Sequence, residues 1–234
     1  MEFMKKVSGC KSMLAVGVGL TSVGAEAGII YTDLTPDAYL YNNSYNLDLN
    51  ADAVTDFTIH QSYLVSDGGK DIDSDLTINS ALGNGAAISG PLSAGQMIDS
   101  SLSYSTAGTL ATYDRDGTTH SSTSCGKYGC TTTYYNTYTH DYGGSFSSIF
   151  DGYVGLSFLI NGDTYFGWAD VDVDSDATAY VRSFAYDSTA GNGIAAGNTT
   201  SPDVPEPASL ALLALGAVPL LAARRRRKLQ PVEA

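Results

Sequence analysis

Over the middle of this chain apolar and polar residues alternate in short runs, and no long stretch places its apolar residues at helical spacing. In Tyr153–Ile160, Val154, Leu156, Phe158 and Ile160 fall on one face, as a half-buried strand requires. Asn161-Gly162 follows, and both central positions of a type I′ hairpin turn need the positive φ that these two residues tolerate best. The partner strand is then Thr164–Val173, and Thr178–Tyr186 alternates again after the acidic turn Asp174-Ser175-Asp176. Residues 153–186 therefore predict a three-strand antiparallel meander. Phe57–Val65, Leu76–Ile78, Ile98–Tyr104 and Thr131–Thr139 are further candidate strands between Gly, Ser and Asp turns. Short strands of this kind predict an all-β domain over 28–200, an antiparallel β-sandwich or jelly-roll-like fold.

The pattern changes at both ends. Lys5 and Lys6 precede an apolar stretch from Met13 to Val23, and Ala25 and Ala27 stand in an A-x-A arrangement. This is the layout of a secretory signal: the lysines stay cytoplasmic, the apolar helix enters the translocon and the small side chains fit the peptidase pocket. Residues 1–27 read as a signal peptide cut by signal peptidase after Ala27; the alternative is a buried N-terminal helix. Cys10 precedes the apolar run instead of ending it, which argues against lipoprotein acylation. At the other end, 208–223 is an uncharged apolar stretch that reaches about 24 Å as a helix, short of the roughly 30 Å hydrocarbon core. Arg224, Arg225, Arg226, Arg227 and Lys228 follow at once. Their long side chains can snorkel, and the positive-inside rule assigns that side to the cytoplasm. Residues 208–223 thus predict a transmembrane helix and 224–234 a basic cytoplasmic tail, so 28–200 lies outside.

The linker 201–207 ends in Pro205-Glu206-Pro207. The order Pro-Glu-Pro, apolar helix, arginine cluster, chain end resembles the PEP-CTERM sorting signal of Gram-negative bacteria. One departure is the stretch from Leu229 to Ala234 after the basic cluster, where that family stops sooner. The resemblance implies an inner-membrane intermediate and processing near Pro-Glu-Pro by an exosortase, a membrane cysteine transpeptidase. It also implies a destination at the cell surface or in a biofilm matrix of extracellular polysaccharide. An ordinary anchor helix behind a proline-containing stalk is the rival reading. A second block, Gly152-Tyr153-Val154-Gly155, Phe158, Tyr165-Phe166-Gly167-Trp168, Phe184-Ala185-Tyr186 and Ile194-Ala195-Ala196-Gly197, resembles a pattern in uncharacterised exported bacterial proteins. It implies an exported β domain and no catalytic role.

Charge sharpens the picture. The whole chain carries −13, but residues 28–204 hold 21 Asp, no Glu and only Lys70, Arg115, Lys127 and Arg182, a net −17. Nucleic acid is excluded as a partner, because such binding needs a basic surface to displace phosphate counterions. At 43% hydrophobic the chain is too apolar for a disordered acidic tail.

The sharpest local motif runs from Asp48 to Phe57, with oxygen donors Asp48, Asn50, Asp52 and Asp56 at positions 1, 3, 5 and 9. It resembles the calcium loops of dockerin-like and other exported repeats, in which a tight turn points alternate oxygens inward. Ala53 replaces the glycine of position 6, where the turn needs a conformation that glycine adopts most cheaply. The two readings are a structural calcium ion and an acidic turn before a strand. Asp170, Asp172, Asp174 and Asp176 are spaced by two; Asp170 to Asp174 read as a solvated face that discourages edge pairing, and only the turn residues near Asp174 and Asp176 could curl round a metal. Cys125 and Cys130 are the only cysteines left after signal removal, and an even count in an oxidising compartment favours a disulfide over a metal pair with His120 or His140. No G-x-S-x-G elbow, H-E-x-x-H pair or phosphate loop is present, so no catalytic residue is assigned.

Together these features predict a non-enzymatic exported domain with a structural or carbohydrate-binding role at the cell surface. Abundant Tyr would stack on sugar rings, and extracellular polysaccharide is the expected partner. The alternative is an exported polysaccharide-modifying enzyme that works through an Asp pair.

Overall fold

A computed structural model describes residues 28–200, and these form an antiparallel, sandwich-like all-β domain. In chain order the strands are β1 (Ile29–Leu40), β2 (Asn43–Leu47), β3 (Phe57–Ser66), β4 (Asp71–Ser80), β5 (Gly85–Leu92), β6 (Met97–Ile98), β7 (Ala107–Gly126), β8 (Gly129–Gly143), β9 (Ile149–Ile160), β10 (Asp163–Val173), β11 (Ala179–Asp187) and β12 (Ile194–Ala195). One sheet has the order β1-β11-β10-β9-β5, the second β2-β3-β4-β7-β8, and β6 and β12 pair as a small ribbon. The expected signal peptide with Ala25 and Ala27, the Pro-Glu-Pro linker, the transmembrane helix expected over 208–223 and the basic tail lie outside the described residues.

The alternation in β9–β11 sets the main core. Val154, Leu156 and Phe158 of β9, Val171 and Val173 of β10 and Val181 of β11 join Phe57, Ile59, Leu76 and Ile78 of the facing sheet in one buried cluster. The expected meander is present, with Trp168 opposite both Gly155 and Ala185. Its first turn has Asn161 at φ 54° and Gly162 at φ 92°, as a type I′ turn demands.

The same three strands are also buried on their other face. There Phe166, Trp168 and Ala185 meet Leu92, Ile98, Ile194 and Ala196 in a second cluster. The sequence pattern at 152–197 spans both layers: Tyr153, Phe166, Trp168, Ala185, Ile194 and Ala196 belong to this one, and Val154, Phe158, Phe184 and Tyr186 to the main core. Trp168 meets Tyr153 edge-on at 5.2 Å and donates its indole N–H to the Asn198 carbonyl at 3.2 Å. Gly197, at φ 74°, lies where a Cβ would sit 2.8 Å from the Tyr153 hydroxyl, so the closing Ala-Gly can press against the ring only without a side chain.

Several elements differ from the sequence expectation. Of Ile98–Tyr104 only the first residue is in a strand; Asp99 turns the chain by accepting the Ser101 N–H at 2.8 Å, and Leu102 and Tyr104 then pack on the second cluster. Leu76–Ile78 belongs to the longer β4, whose Asp73 and Asp75 point to solvent while Ile72, Ser74 and Leu76 are buried. The Asp170–Asp174 run is not a solvated face guarding an edge, because β10 is central and Asp170 is buried. Strands β1, β2, β5 and β7 were not anticipated by alternation.

Trp168 is the chain's single tryptophan and the centre of the second cluster. Trp168→Ala is expected to lower unfolding free energy by about 3–5 kcal/mol, read from urea titration followed by far-ultraviolet circular dichroism. A loss below about 1 kcal/mol would mean that the layer is peripheral to folding.

Candidate functional site

β1 ends in Tyr39-Leu40, and Tyr41 follows. Leu40 is buried in the main core, so its neighbours Tyr39 and Tyr41 point outward, each about half exposed. Tyr39 lies opposite Tyr180 of β11, with ring centroids 4.8 Å apart. Tyr39 and Tyr41 are nearly parallel, 7° between planes and 6.4 Å between centroids, and Tyr41 meets Tyr63 of β3 at 4.9 Å. The row Tyr180–Tyr39–Tyr41–Tyr63 thus crosses from one sheet to the other, because the chain itself crosses there between β1 and β2. Asn43 fixes the crossing by accepting the Tyr41 N–H at 3.0 Å and donating to the Tyr39 carbonyl at 3.2 Å.

Beneath the row, Ser74 donates to the Asp176 carbonyl at 2.6 Å and accepts from Gln61 at 2.9 Å, tying the two sheets together. Burial raises the pKa of Tyr39 and Tyr63, so the rings are neutral phenols beside Asp174 and Asp176. The aromatic surface continues sideways. Tyr63, Ser74, Tyr113 and Tyr142 are successive cross-strand partners on β3, β4, β7 and β8. Tyr113 and Tyr142 rings are 5.4 Å apart, and the Tyr113 hydroxyl lies 3.0 Å from His140 Nδ1. Further along, Arg115 sits 5.1 Å over the Tyr138 ring. Tyrosines 39, 41, 63 and 180 are scattered through the sequence, and only the Tyr-Leu-Tyr alternation at 39–41 hinted at this surface.

The residues proposed for calcium fall in two groups. Asp48 accepts the N–H groups of Asp52 at 3.2 Å and Ala53 at 2.8 Å, while Asn50 donates to Asp52 at 3.0 Å. Ala53 takes φ 68°, the conformation for which position 6 of such loops uses glycine. Asp56 instead turns inward: its carboxylate accepts from Leu49 N–H at 2.8 Å and from the Asn84 amide at 3.3 Å. Burial, followed by the charges of Asp48 and Asp52, raises its pKa against those two hydrogen bonds. The structure therefore brings Asp48, Asn50 and Asp52 together and separates Asp56 from them. Among the described residues, no group of three or more His, Cys, Asp or Glu side chains is placed to hold a metal ion.

Cys125 and Cys130 are bonded and directly opposed at the tip of the β7–β8 ribbon, with Cα atoms 3.9 Å apart. Six other acids form two further clusters. Asp73, Asp114 and Asp141 are cross-strand partners on three adjacent strands of the outer face. At the bulges where β10 meets its neighbours, Arg182 contacts Asp151 at 2.6 Å and Asp172 at 3.1 Å. Asp170 beside them is 8% exposed, and its Oδ1 has no hydrogen-bond partner.

The class of protein is now defined by two features, an all-β sandwich-like domain and, beyond it, the C-terminal sequence elements. Comparison with known families matches residues 203–228 to the PEP-CTERM protein-sorting motif, a stretch that includes Pro205-Glu206-Pro207 and the Arg224–Arg227 cluster. The chain is a PEP-CTERM protein: an exported substrate of exosortase that reaches the cell surface through a membrane-anchored intermediate. No curated protein and no solved structure matches it.

Asp170 gives the domain a defined pH response. Burial pushes its carboxyl up to about 6, with Arg182 acting in the opposite direction and Asp172, Asp151 and Asp37 adding to the rise. The unfolded chain releases this proton near pH 4 and the folded chain only near 6, so stability falls as pH climbs through that window. Asp170→Asn is expected to gain roughly 1–2 kcal/mol at neutral pH and nothing at about pH 4, measured by urea unfolding at both. An equal gain at both would assign the effect to packing.

Proposed function

We propose that this domain is a non-catalytic carbohydrate-binding module that holds the exported chain in an extracellular polysaccharide matrix. The observation that carries the reading is the row Tyr180–Tyr39–Tyr41–Tyr63, four rings spaced 4.8, 6.4 and 4.9 Å apart on an open surface. Such rings present broad apolar faces with polar hydroxyl tips, which suits the C–H faces and hydroxyl edges of successive sugars. The strong negative charge of the domain repels anionic polymers, so the favoured ligand is a neutral glycan. Binding is favoured over hydrolysis because Asp170, the carboxyl that burial pushes up to about 6, is enclosed and out of a substrate's reach. Signal peptidase removes 1–27 during export in the same scheme.

The full chain in mild detergent is expected to be retained on an insoluble neutral β-glucan and not on alginate. Tyr39→Ala with Tyr41→Ala is expected to weaken retention by roughly tenfold or more while leaving the melting curve unchanged within a few degrees. Equal retention of the double variant, or no retention of the parent chain on any neutral glycan, would sink the proposal.

Calcium enters as a structural ion on Asp48, Asn50 and Asp52, with Asp56 bracing the loop from within. The support is the left-handed turn at Ala53. Millimolar calcium is expected to raise the melting temperature of the parent chain and to leave that of Asp48→Asn unmoved. An unchanged parent melting temperature, with no heat in calorimetric titration, removes the ion from the scheme.

A further inference from the structure

Four strands form the outer edges of the two main sheets, and three of them carry features that block further pairing. β1 contains Pro36 and is irregular between Asp33 and Ala38; β5 contains Pro91 and is irregular between Ala87 and Leu92; β2 is only five residues long. Proline, irregular register and shortness are the usual protections of an exposed edge. β8 has none of them. It is 15 residues long and pairs with β7 in unbroken register from Gly143 to Gly129. Among the described residues, its other side has no strand neighbour.

The ribbon also stands clear of the domain. β4 begins beside Gly117, whose N–H is taken by the Asp71 carboxylate at 2.9 Å, and residues 118–142 are exposed throughout. Along β8 every second residue turns its N–H and C=O away from β7, as antiparallel pairing requires. Those groups form a ready template for another strand.

Charge says which strand. Residues 117–138 contain no acid and, besides His120, only one base, Lys127 at the tip, so every Asp of the domain lies elsewhere. Two copies of so acidic a domain repel one another over most of their surface, and this ribbon is where that repulsion is weakest. When an antiparallel strand pairs with its own copy about a two-fold axis, residues of the same face meet. Tyr134, Asn136 and Tyr138 would then adjoin their equivalents, as would Thr131, Thr133 and Thr137, and no like charges are opposed. The Cys125–Cys130 bond closes the hairpin in advance, which lowers the ordering cost of docking.

We propose that two copies of this chain associate as a closed two-fold dimer through the outer edge of β8, joining their second sheets into one. The dimer does not depend on sugar binding, and its test is separate from the glycan experiment.

The full chain, in mild detergent, would be examined by sedimentation velocity over a range of concentrations. The parent chain is expected to shift from monomer to dimer. Asn136→Lys places two ammonium groups beside the two-fold axis and is expected to keep the chain monomeric at concentrations where the parent is mostly dimeric. Thr133→Lys should act the same way, and Ser44→Lys on the opposite edge strand β2 should leave the dimer intact. All three positions are exposed, so each variant should retain the parent circular dichroism spectrum. A parent chain that stays monomeric, lysine variants at β8 that dimerise like the parent, or open-ended oligomers in place of a dimer would each overturn the proposal.

Discussion

The structure depends on burying both faces of the β9–β10–β11 meander. A sandwich needs only one apolar face per sheet, but here Phe166, Trp168 and Ala185 make the outward side of the first sheet as apolar as its inward side. Left open, that side would be a large hydrophobic patch on an exported protein. The segments after β5 and after β11 exist to cover it, and the short β6–β12 ribbon fixes them to each other. Gly155 and Gly167 follow from the same demand: a Cβ at Gly155 would meet Leu92 at 3.0 Å, and one at Gly167 would meet the Ala185 carbonyl at 2.6 Å. Layers can close this tightly only where the central strands have no side chain.

The centre of the first sheet is occupied on both sides, so beyond Tyr39 and Tyr180 at its margin the second sheet supplies the exposed aromatic surface. Its inward face runs beyond the main core along one continuous set of positions. Tyr113 is buried at the core boundary, Arg115 and Tyr142 emerge, and Tyr138 and Tyr134 stand on the free ribbon. The side chains that would have faced a partner sheet are tyrosines instead of aliphatics. A tyrosine tolerates this half-covered position because its ring can pack and its hydroxyl can reach water. The row through Tyr39 and Tyr41 joins this overhang where the chain crosses between sheets, so the candidate binding surface and the inter-sheet connection share residues.

How much of this was legible in the sequence follows from where burial imposes a pattern. The β9–β11 meander alternates because its residues are sorted between two layers, and Asn161-Gly162 marks its turn with residues suited to positive φ. β7 and β8 beyond Gly117 have no buried face, so no apolar period exists to read; only the Thr and Tyr content of 131–139 pointed to a strand. In β4 only Leu76–Ile78 reads as a strand, because its first half alternates acids with Ile72 and the polar Ser74, whose burial sequence does not announce. Asp56 sits at the right interval for a calcium loop, yet interval cannot tell an inward carboxylate that caps Leu49 from an outward one. The C-terminal sorting signal was readable because its elements act in linear order. The tyrosine row was not, because its members meet only after strands distant in sequence have paired.

The distribution of charge then connects the fold to its setting. Asp73, Asp114 and Asp141 oppose one another directly on neighbouring strands, an arrangement that costs stability, and Asp114 is raised in pKa by burial and by its acidic neighbours. Among the described residues no Lys or Arg pairs with these three acids: Arg182 is engaged with Asp151 and Asp172, Lys70 with Asp67, Arg115 with the Gly69 and Lys70 carbonyls, and Lys127 lies by Tyr128 at the ribbon tip. A sheet that tolerates three aligned carboxylates gives up some stability for a field that keeps copies apart and soluble during export. The tyrosine overhang and the uncharged ribbon lie off that face, the first turned to the opposite side of the same sheet and the second beyond its last acids. Repulsion therefore acts where association would be indiscriminate, and the surfaces free of acid are the ones shaped for contact.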